Sequence, residues 1–560
     1  NAPSSASLVQ AARLGMNWAI VHSVGPCSHF ASDARDPVTG RPTDEFPQYF
    51  DDYPRIARIR RSLDAAWLEP FRRHIHSLCD RAVALSMRPV FHFYEPQFPL
   101  LFEREYPDLV TVFKRSTQEG VIDVHCCIDP DDPATWKLIG AKYRELAKDF
   151  PQVGMFILTT WDNAGIRLCV PKAKMPVHER LIKLVTTVRD AVREVRDDLT
   201  VCFRLWGRNW PEQIYRDSHR LIAELTGLEN ATDLMEPVCR PYNDPAEVLP
   251  RLLGALPPDV PIMYKSTRMD IHDNSELTFA SGAYPAKREQ IIEVSYEMYH
   301  AKPWPWCKIK HIRTGLAAVG DHKLTGFLTL PINMGNNGRD IDPETGNLGR
   351  MNTWLLEQLD KGDTRSDGEL VGAWLTDQFG SEQPQVVVEA LLEADEIADL
   401  GCQWGGGIYD RAPLASLHTT KLYWMFDGFI QPDFPYQIAS PTADFIEKLI
   451  GQRAEACNRA DAHIQNLIAA RADIHPDLYA ELIADYQTFA DIIRLRRDWS
   501  SYLLMQYAIE KKVCPADRKT LGRMSRYVES FIANLVPLRD TDAGRHVMAR
   551  ISFPDRFDLT

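Results

Sequence analysis

Over its first 340 residues the chain keeps changing its hydrophobic period. Short runs rich in β-branched and aromatic residues give way to longer stretches in which apolar residues return every three or four positions, and the alternation repeats. Eight runs have strand texture: 16–24, 88–95, 154–160, 199–206, 232–239, 261–267, 291–297 and 326–333. Between them, stretches such as 67–85, 134–150 and 177–195 carry helical spacing. Strand then helix, repeated, is how parallel strands joined by crossover helices read in sequence. Eight such units predict an α/β fold, a TIM-like (β/α)8 barrel over residues 1–340. A Gly/Asn/Asp-rich stretch at 335–347 then ends the alternation, and 384–400, 442–472 and 476–511 read as long amphipathic helices. An all-helical C-terminal domain, 341–560, is the expectation.

Composition narrows the picture. At 560 residues the chain exceeds what one hydrophobic core usually organises. Its 45% hydrophobic and 25% charged residues are ordinary for a globular protein in water, and no apolar run reaches the roughly 18 residues of a membrane span. No membrane partner is expected. A formal net charge of -13 offers no general attraction to polyphosphate, so nucleic acid is not an expected partner and an acidic ligand has to be met by local cations. The eleven cysteines show no CxxC or zinc spacing and read as buried reduced thiols, which points to the cytoplasm. Because the chain begins Asn-Ala-Pro, export followed by cleavage stays open. No cofactor is expected.

In a barrel of this kind, chemistry comes from the carboxyl ends of the strands. The polar residues at or just beyond those ends are His22, Glu95, Asp162, Arg204, Trp206, Glu236, Lys265, Asp270, Glu297 and Asn333. The acids stand out. Glycoside hydrolysis needs a protonated acid for the leaving oxygen and an ionised carboxylate for water or the sugar carbon, because its transition state resembles an oxocarbenium ion. Lys265, five positions before Asp270, suggests an acidic substrate. Trp161 and Trp206, beside charged residues, suit sugar stacking as well as core packing. Taken singly, any one acid also reads as a helix cap or a surface ion pair. A different chemistry, a metal-dependent sugar isomerase or epimerase, would draw on His22, His92, His125, Glu95 and Glu236.

Several stretches, in order, resemble the α-glucuronidases of glycoside hydrolase family 67. Residues 83–99 and 128–158 are similar to a helix, strand and loop sequence of that family, and 202-CFRLW-206 to its Trp-Arg-Ala-Phe strand. YKSTRMD (264–270) resembles Ile-Lys-Asn-Gly-Pro-Ile-Asp, and 294-VSYEMY-299 resembles Gln-Ile-Thr-Gln-Glu-Tyr. Residues 348–359 and 372–380 look like its later Phe-Gly-Arg-Leu-Ala-Trp and Thr-Phe-Gly stretches. The relation is a distant one. The family's N-terminal β-sandwich has no counterpart here, and its Asn-Ser-Glu-Gly acid loop is replaced by Trp161-Asp162-Asn163-Ala164-Gly165.

What the resemblance implies is an exo-acting, inverting glycosidase that removes a terminal uronic-acid-type sugar from an oligosaccharide or polysaccharide fragment. Asp162 would protonate the leaving oxygen, with Glu95 and Glu236 as competitors for that role, while Asp270 and Glu297 activate and orient a water. Arg204 and Lys265 would hold the sugar carboxylate, and Trp161, Trp206, Glu95, Glu236 and His22 would line the substrate. A neutral or modified sugar is the alternative substrate. A homodimer through the helical domain is the expectation by analogy with the family.

Overall fold

Strand and helix do alternate as the periodicity requires. The computed structural model describes residues 5–13, 15–23, 65–95, 108–116, 122–159, 174–175, 177–205, 253–265, 288–294, 307–321, 323–328, 350–402, 442–510 and 512–536. Numbered in chain order, the strands are β1 (Trp18–Ser23), β2 (Arg88–Tyr94), β3 (Val110–Ser116), β4 (Ile122–Ile128), β5 (Met155–Thr159), β6 (Thr200–Leu205), β7 (Ile262–Lys265), β8 (Gln290–Glu293) and β9 (Gly326–Leu328). Helices α1 (Ser5–Arg13), α2 (Ala65–Ala84), α3 (Pro133–Asp149), α4 (Val177–Arg193) and α5 (Ile309–Asp321) fall before or between strands. Helices α6 (Met351–Asp360), α7 (Asp367–Phe379), α8 (Gln385–Cys402), α9 (Ala443–Ala469), α10 (Pro476–Glu510) and α11 (Arg518–Leu535) follow the last strand.

Seven strands form one sheet in the order β1-β2-β5-β6-β7-β8-β9, every pair parallel. Apart from one inserted hairpin this is the order of the chain, and a sequential, all-parallel wall with helices between its strands where the connections are described is that of a TIM-like (β/α)8 barrel. A helical C-terminal region follows it. Seven of the eight predicted strand runs contain a strand; the run 232–239 lies outside the described residues. The contacts group the chain into two units. The first comprises 1–268, 276–293 and 318–328, and the second comprises 269–275, 294–317 and 329–560.

Alternation along the strands sorts the wall into two faces. Phe91, Phe93, Phe156, Leu158, Val201, Phe203, Ile262 and Tyr264 belong to a large core that they share with Leu78 of α2, Ile139 and Tyr143 of α3, and Leu184 and Val188 of α4. Aromatic edges lock this layer: Phe91 to Phe150 at 4.9 Å between centroids, and Phe93 to Tyr143 at 5.5 Å. The intervening residues, Val90, Met155, Ile157, Cys202 and Met263, form a separate apolar cluster, with Trp18, Ile20, Ile291 and Leu328 packed against it. This second cluster is the barrel interior. Gly154 permits the close approach at its base, because a β-carbon there would lie 2.7 Å from Arg88 Nε and 2.9 Å from a Trp18 ring carbon.

The main addition to the predicted plan is an antiparallel hairpin. β3 pairs with β4 from Val110↔Ile128 to Ser116↔Ile122, between the carboxyl end of β2 and the start of α3. Helix α3 then opens on a built cap: Asp132 accepts from the Ala134 amide at 2.8 Å, and Pro133 stands in the first turn, where no amide donor is needed.

In the helical unit, Asp498 of α10 accepts from Arg497 at 2.7 Å and from Ser530 and Asn534 of α11 at 2.7 and 2.8 Å. Arg459 of α9 bridges Glu393 and Glu396 of α8, and the Tyr486 hydroxyl of α10 donates to the Ala390 carbonyl at 2.5 Å. Polar clamps of this kind fix the register of packed helices more than they add stability. No helix among the described residues is long and apolar enough to cross a membrane.

Candidate functional site

One residue above the apolar floor, toward the carboxyl ends of the strands, the interior becomes polar. Val90 is followed on the same face by His92, Ile157 by Thr159, Cys202 by Arg204, and Ile291 by Glu293. All four polar residues are buried. His92 of β2 and Thr159 of β5 share a hydrogen bond of 2.7 Å between Nε2 and Oγ1. Thr159 stands beside Arg204 in the β5–β6 register. Arg204 then reaches past β7 to Glu293 of β8, donating from Nη2 to Oε1 at 2.8 Å and from Nε to Oε2. Inward residues of alternate strands share a layer in such barrels, so the skip over β7 places both charges in one tier of the interior. The pair is bidentate, and both side chains are almost wholly screened, at 2% and 0% exposure.

Cys202 lies directly beneath this tier. Burial pushes its thiol well above the usual range, and Glu289 adds to that, while Arg204 opposes it. The sulfur is therefore an inert part of the floor.

Glu95 behaves differently. It shares the parity of Phe91 and Phe93, and its Oε1 accepts from Lys142 Nζ at 2.6 Å and from the Tyr143 hydroxyl at 2.8 Å, both on α3. Its carboxylate is thus sealed in the helix-facing layer at 0% exposure, on the opposite face of β2 from His92. Two members of the isomerase ligand set thus make their described hydrogen bonds on opposite faces of the sheet. Among the described residues no group of three or more metal-ligating side chains converges.

The other predicted residues are located as follows. His22 lies in β1, whose pairing with β2 shifts register between Ile20 and His22. Lys265 ends β7 with its Cα opposite Glu293. The side chains of both, and that of His125, fall outside the description. Trp161, Asp162, Trp206, Glu236, Asp270 and Glu297 lie outside the described residues.

Glu293 is absent from the strand-end acids read from sequence because the run 291-IIEVSYE-297 has strand texture to its last acid. The strand stops at Glu293. Val294, the next residue, is outside the ladder, and Lys265 and Leu328 are the ladder partners of Glu293 on either side. The usable signal is a charged residue interrupting Ile291, Ile292 and Val294, and a charge inside an apolar run calls for a partner. The signal for Glu95 is also present in the sequence, because two phenylalanines share its parity and face the helices.

The fold and this tier define a class: a (β/α)8-type barrel protein with a charged layer at the carboxyl ends of its strands. At that level it is similar to a GH138 enzyme targeting pectin rhamnogalacturonan II, with a TM-score of 0.52 and 11% identity over 96% of this chain and 57% of that one. The present chain therefore spans little more than half the length of that protein. Two further structures align over 97% of this chain: a chitobiase of Flavobacterium johnsoniae (12% identity, 74% of that chain, TM-score 0.35) and an O-GlcNAc hydrolase of Thermobaculum terrenum (9% identity, 88% of that chain, TM-score 0.38). No protein-family model matches the chain, and comparison with curated protein sequences gives no match. At 11% identity the likeness to the GH138 enzyme is one of fold.

Proposed function

We propose that this chain is a glycoside hydrolase, α-glucuronidase-like, that removes a terminal uronic-acid-type sugar with inversion. The observation that carries the reading is the change from apolar floor to charged tier within one residue step on the inner face of the barrel, where this fold keeps its catalytic groups. The order of family 67-like motifs along the chain supports it. So does the overall likeness to an enzyme whose target is, by name, pectin rhamnogalacturonan II. In this reading Asp162 delivers the proton to the leaving oxygen, and Asp270 and Glu297 activate and orient the water. An inverting site requires about 6.5–9.5 Å between acid and base, against about 5–5.5 Å for retention. Lys265, ending β7 five residues before Asp270, is the cation offered to the sugar carboxylate. Glu95, bonded to Lys142 and Tyr143 of α3, stands behind Asp162 as the acid in this reading.

A neutral sugar is the second reading, and one observation favours it: the Arg204 guanidinium already grips Glu293 with two of its nitrogens. Aryl glycosides with and without a C6 carboxylate separate the two readings. The expected result is hydrolysis of the uronide with release of the inverted anomer, followed by NMR, and loss of about 10²- to 10⁴-fold in D162N, D270N and E297Q. Activity confined to the neutral glycoside selects the second reading. Activity abolished by a chelator selects the isomerase class instead.

A further inference from the structure

We infer that Glu293 is a substrate-contacting carboxylate of the site and that Arg204 is the positioning residue that aims it; this rests on the glycosidase reading above. Taking a guanidinium and a carboxylate out of water is expensive, and a buried pair of this kind is often matched or bettered in stability by apolar side chains of similar volume. The tier immediately below shows what this interior uses for packing alone: valine, isoleucine, methionine and cysteine. The change to Arg204 and Glu293 occurs one step toward the strand ends and not elsewhere along the described inner faces of β6 and β8.

The geometry of the pair suits orientation. Nε and Nη2 each take one carboxylate oxygen, so the plane of the carboxylate is set by the plane of the guanidinium, itself anchored on a central strand. A carboxylate plane fixed in this way before any ligand binds is the preorganisation that electrostatic catalysis demands. The negative charge of Glu293 would then face the region where positive charge grows as the glycosidic bond breaks. His92 and Thr159, joined to each other and adjoining Arg204 through the β5–β6 register, extend the same tier. Lys265, whose Cα is the ladder partner of Glu293, brings a further charged residue to the same level.

The test compares the parent chain with E293Q, R204K, R204M and the double variant R204M/E293M, using whichever aryl glycoside the parent cleaves, with melting temperature measured alongside. A purely structural brace predicts that the double variant melts no lower than the parent and keeps kcat/KM within about threefold. A site role predicts the same folded stability with kcat reduced on the order of 100-fold or more. E293Q should lose kcat in the same measure. R204K, which keeps the charge but not the fork, should recover part of what R204M loses, and it should do so in kcat more than in KM. If R204M/E293M does not fold, E293Q decides: full activity overturns the inference, and lost kcat at an unchanged melting temperature upholds it. A parent chain that cleaves no glycoside removes the glycosidase reading and this inference together. An active parent with an active double variant removes the inference alone.

Discussion

Glu95 shows how much one position along a strand decides. Its carboxylate is fully buried and pairs with Lys142 of α3. Replacing Lys142 with methionine keeps most of the volume but strands a buried charge, and breaking such a pair costs about 3–5 kcal/mol. The K142M chain should therefore show a clearly lower denaturation midpoint, and the double variant K142M/E95Q should regain much of the loss. Calorimetry or urea titration measures both. The strand-end rule brings Glu95 and Arg204 onto one list because it counts residues along a strand and ignores its faces. Parity separates them. Phe91 and Phe93 carry Glu95 to the helix side, and Cys202 carries Arg204 to the inside. Glu293 escapes the same list because the apolar texture of 291–297 outlasts the ladder that makes a strand.

Elements are legible where their own pattern suffices. Helices α3, α4, α8, α9 and α10 follow their predicted spans to within two or three residues, because apolar residues at three- and four-residue spacing need no knowledge of neighbours. The β3–β4 hairpin is not among the predicted elements, although Val110, Val112 and Val124 alternate around a segment containing Gly120, the usual texture of a hairpin. Expecting one strand per βα unit masks it. One contact between elements bears on the site. A β-carbon at Gly315 of α5 would lie 2.6 Å from Val294 Cγ1, so only glycine lets the helix pass that side chain. Val294 directly follows Glu293. G315A should cost about 1–3 kcal/mol as overpacking. By shifting the strand end it should lower kcat as well, whereas an equally destabilising change in α9 should lower stability alone; steady-state kinetics on matched variants checks this.

For the molecule as a whole, acid is the sensitive direction. Asp198 is held below the usual carboxylate range by its hydrogen bond from Arg196, Asp259 by that from Arg189, and Glu396 by that from Arg459. A carboxyl whose folded value is lowered contributes stability that is complete above its ordinary value, near 3.8 for aspartate, and is lost as pH falls through the folded value. Asp491 works in the other direction, since burial raises it despite Arg494. Among the described residues the former group is the larger. Melting temperature should therefore stay level near neutrality and decline as pH falls below about 4. Several of these ion pairs are partly solvated, so added salt should shrink the decline.

The apolar floor has one more consequence. With Val90, Ile157, Cys202, Met263 and Ile291 packed together beneath the charged tier, the described part of the barrel has no back door. On the reading proposed above, a sugar that reaches Glu293 would arrive and depart by the carboxyl ends of the strands, so a slowly released product would obstruct the next arrival.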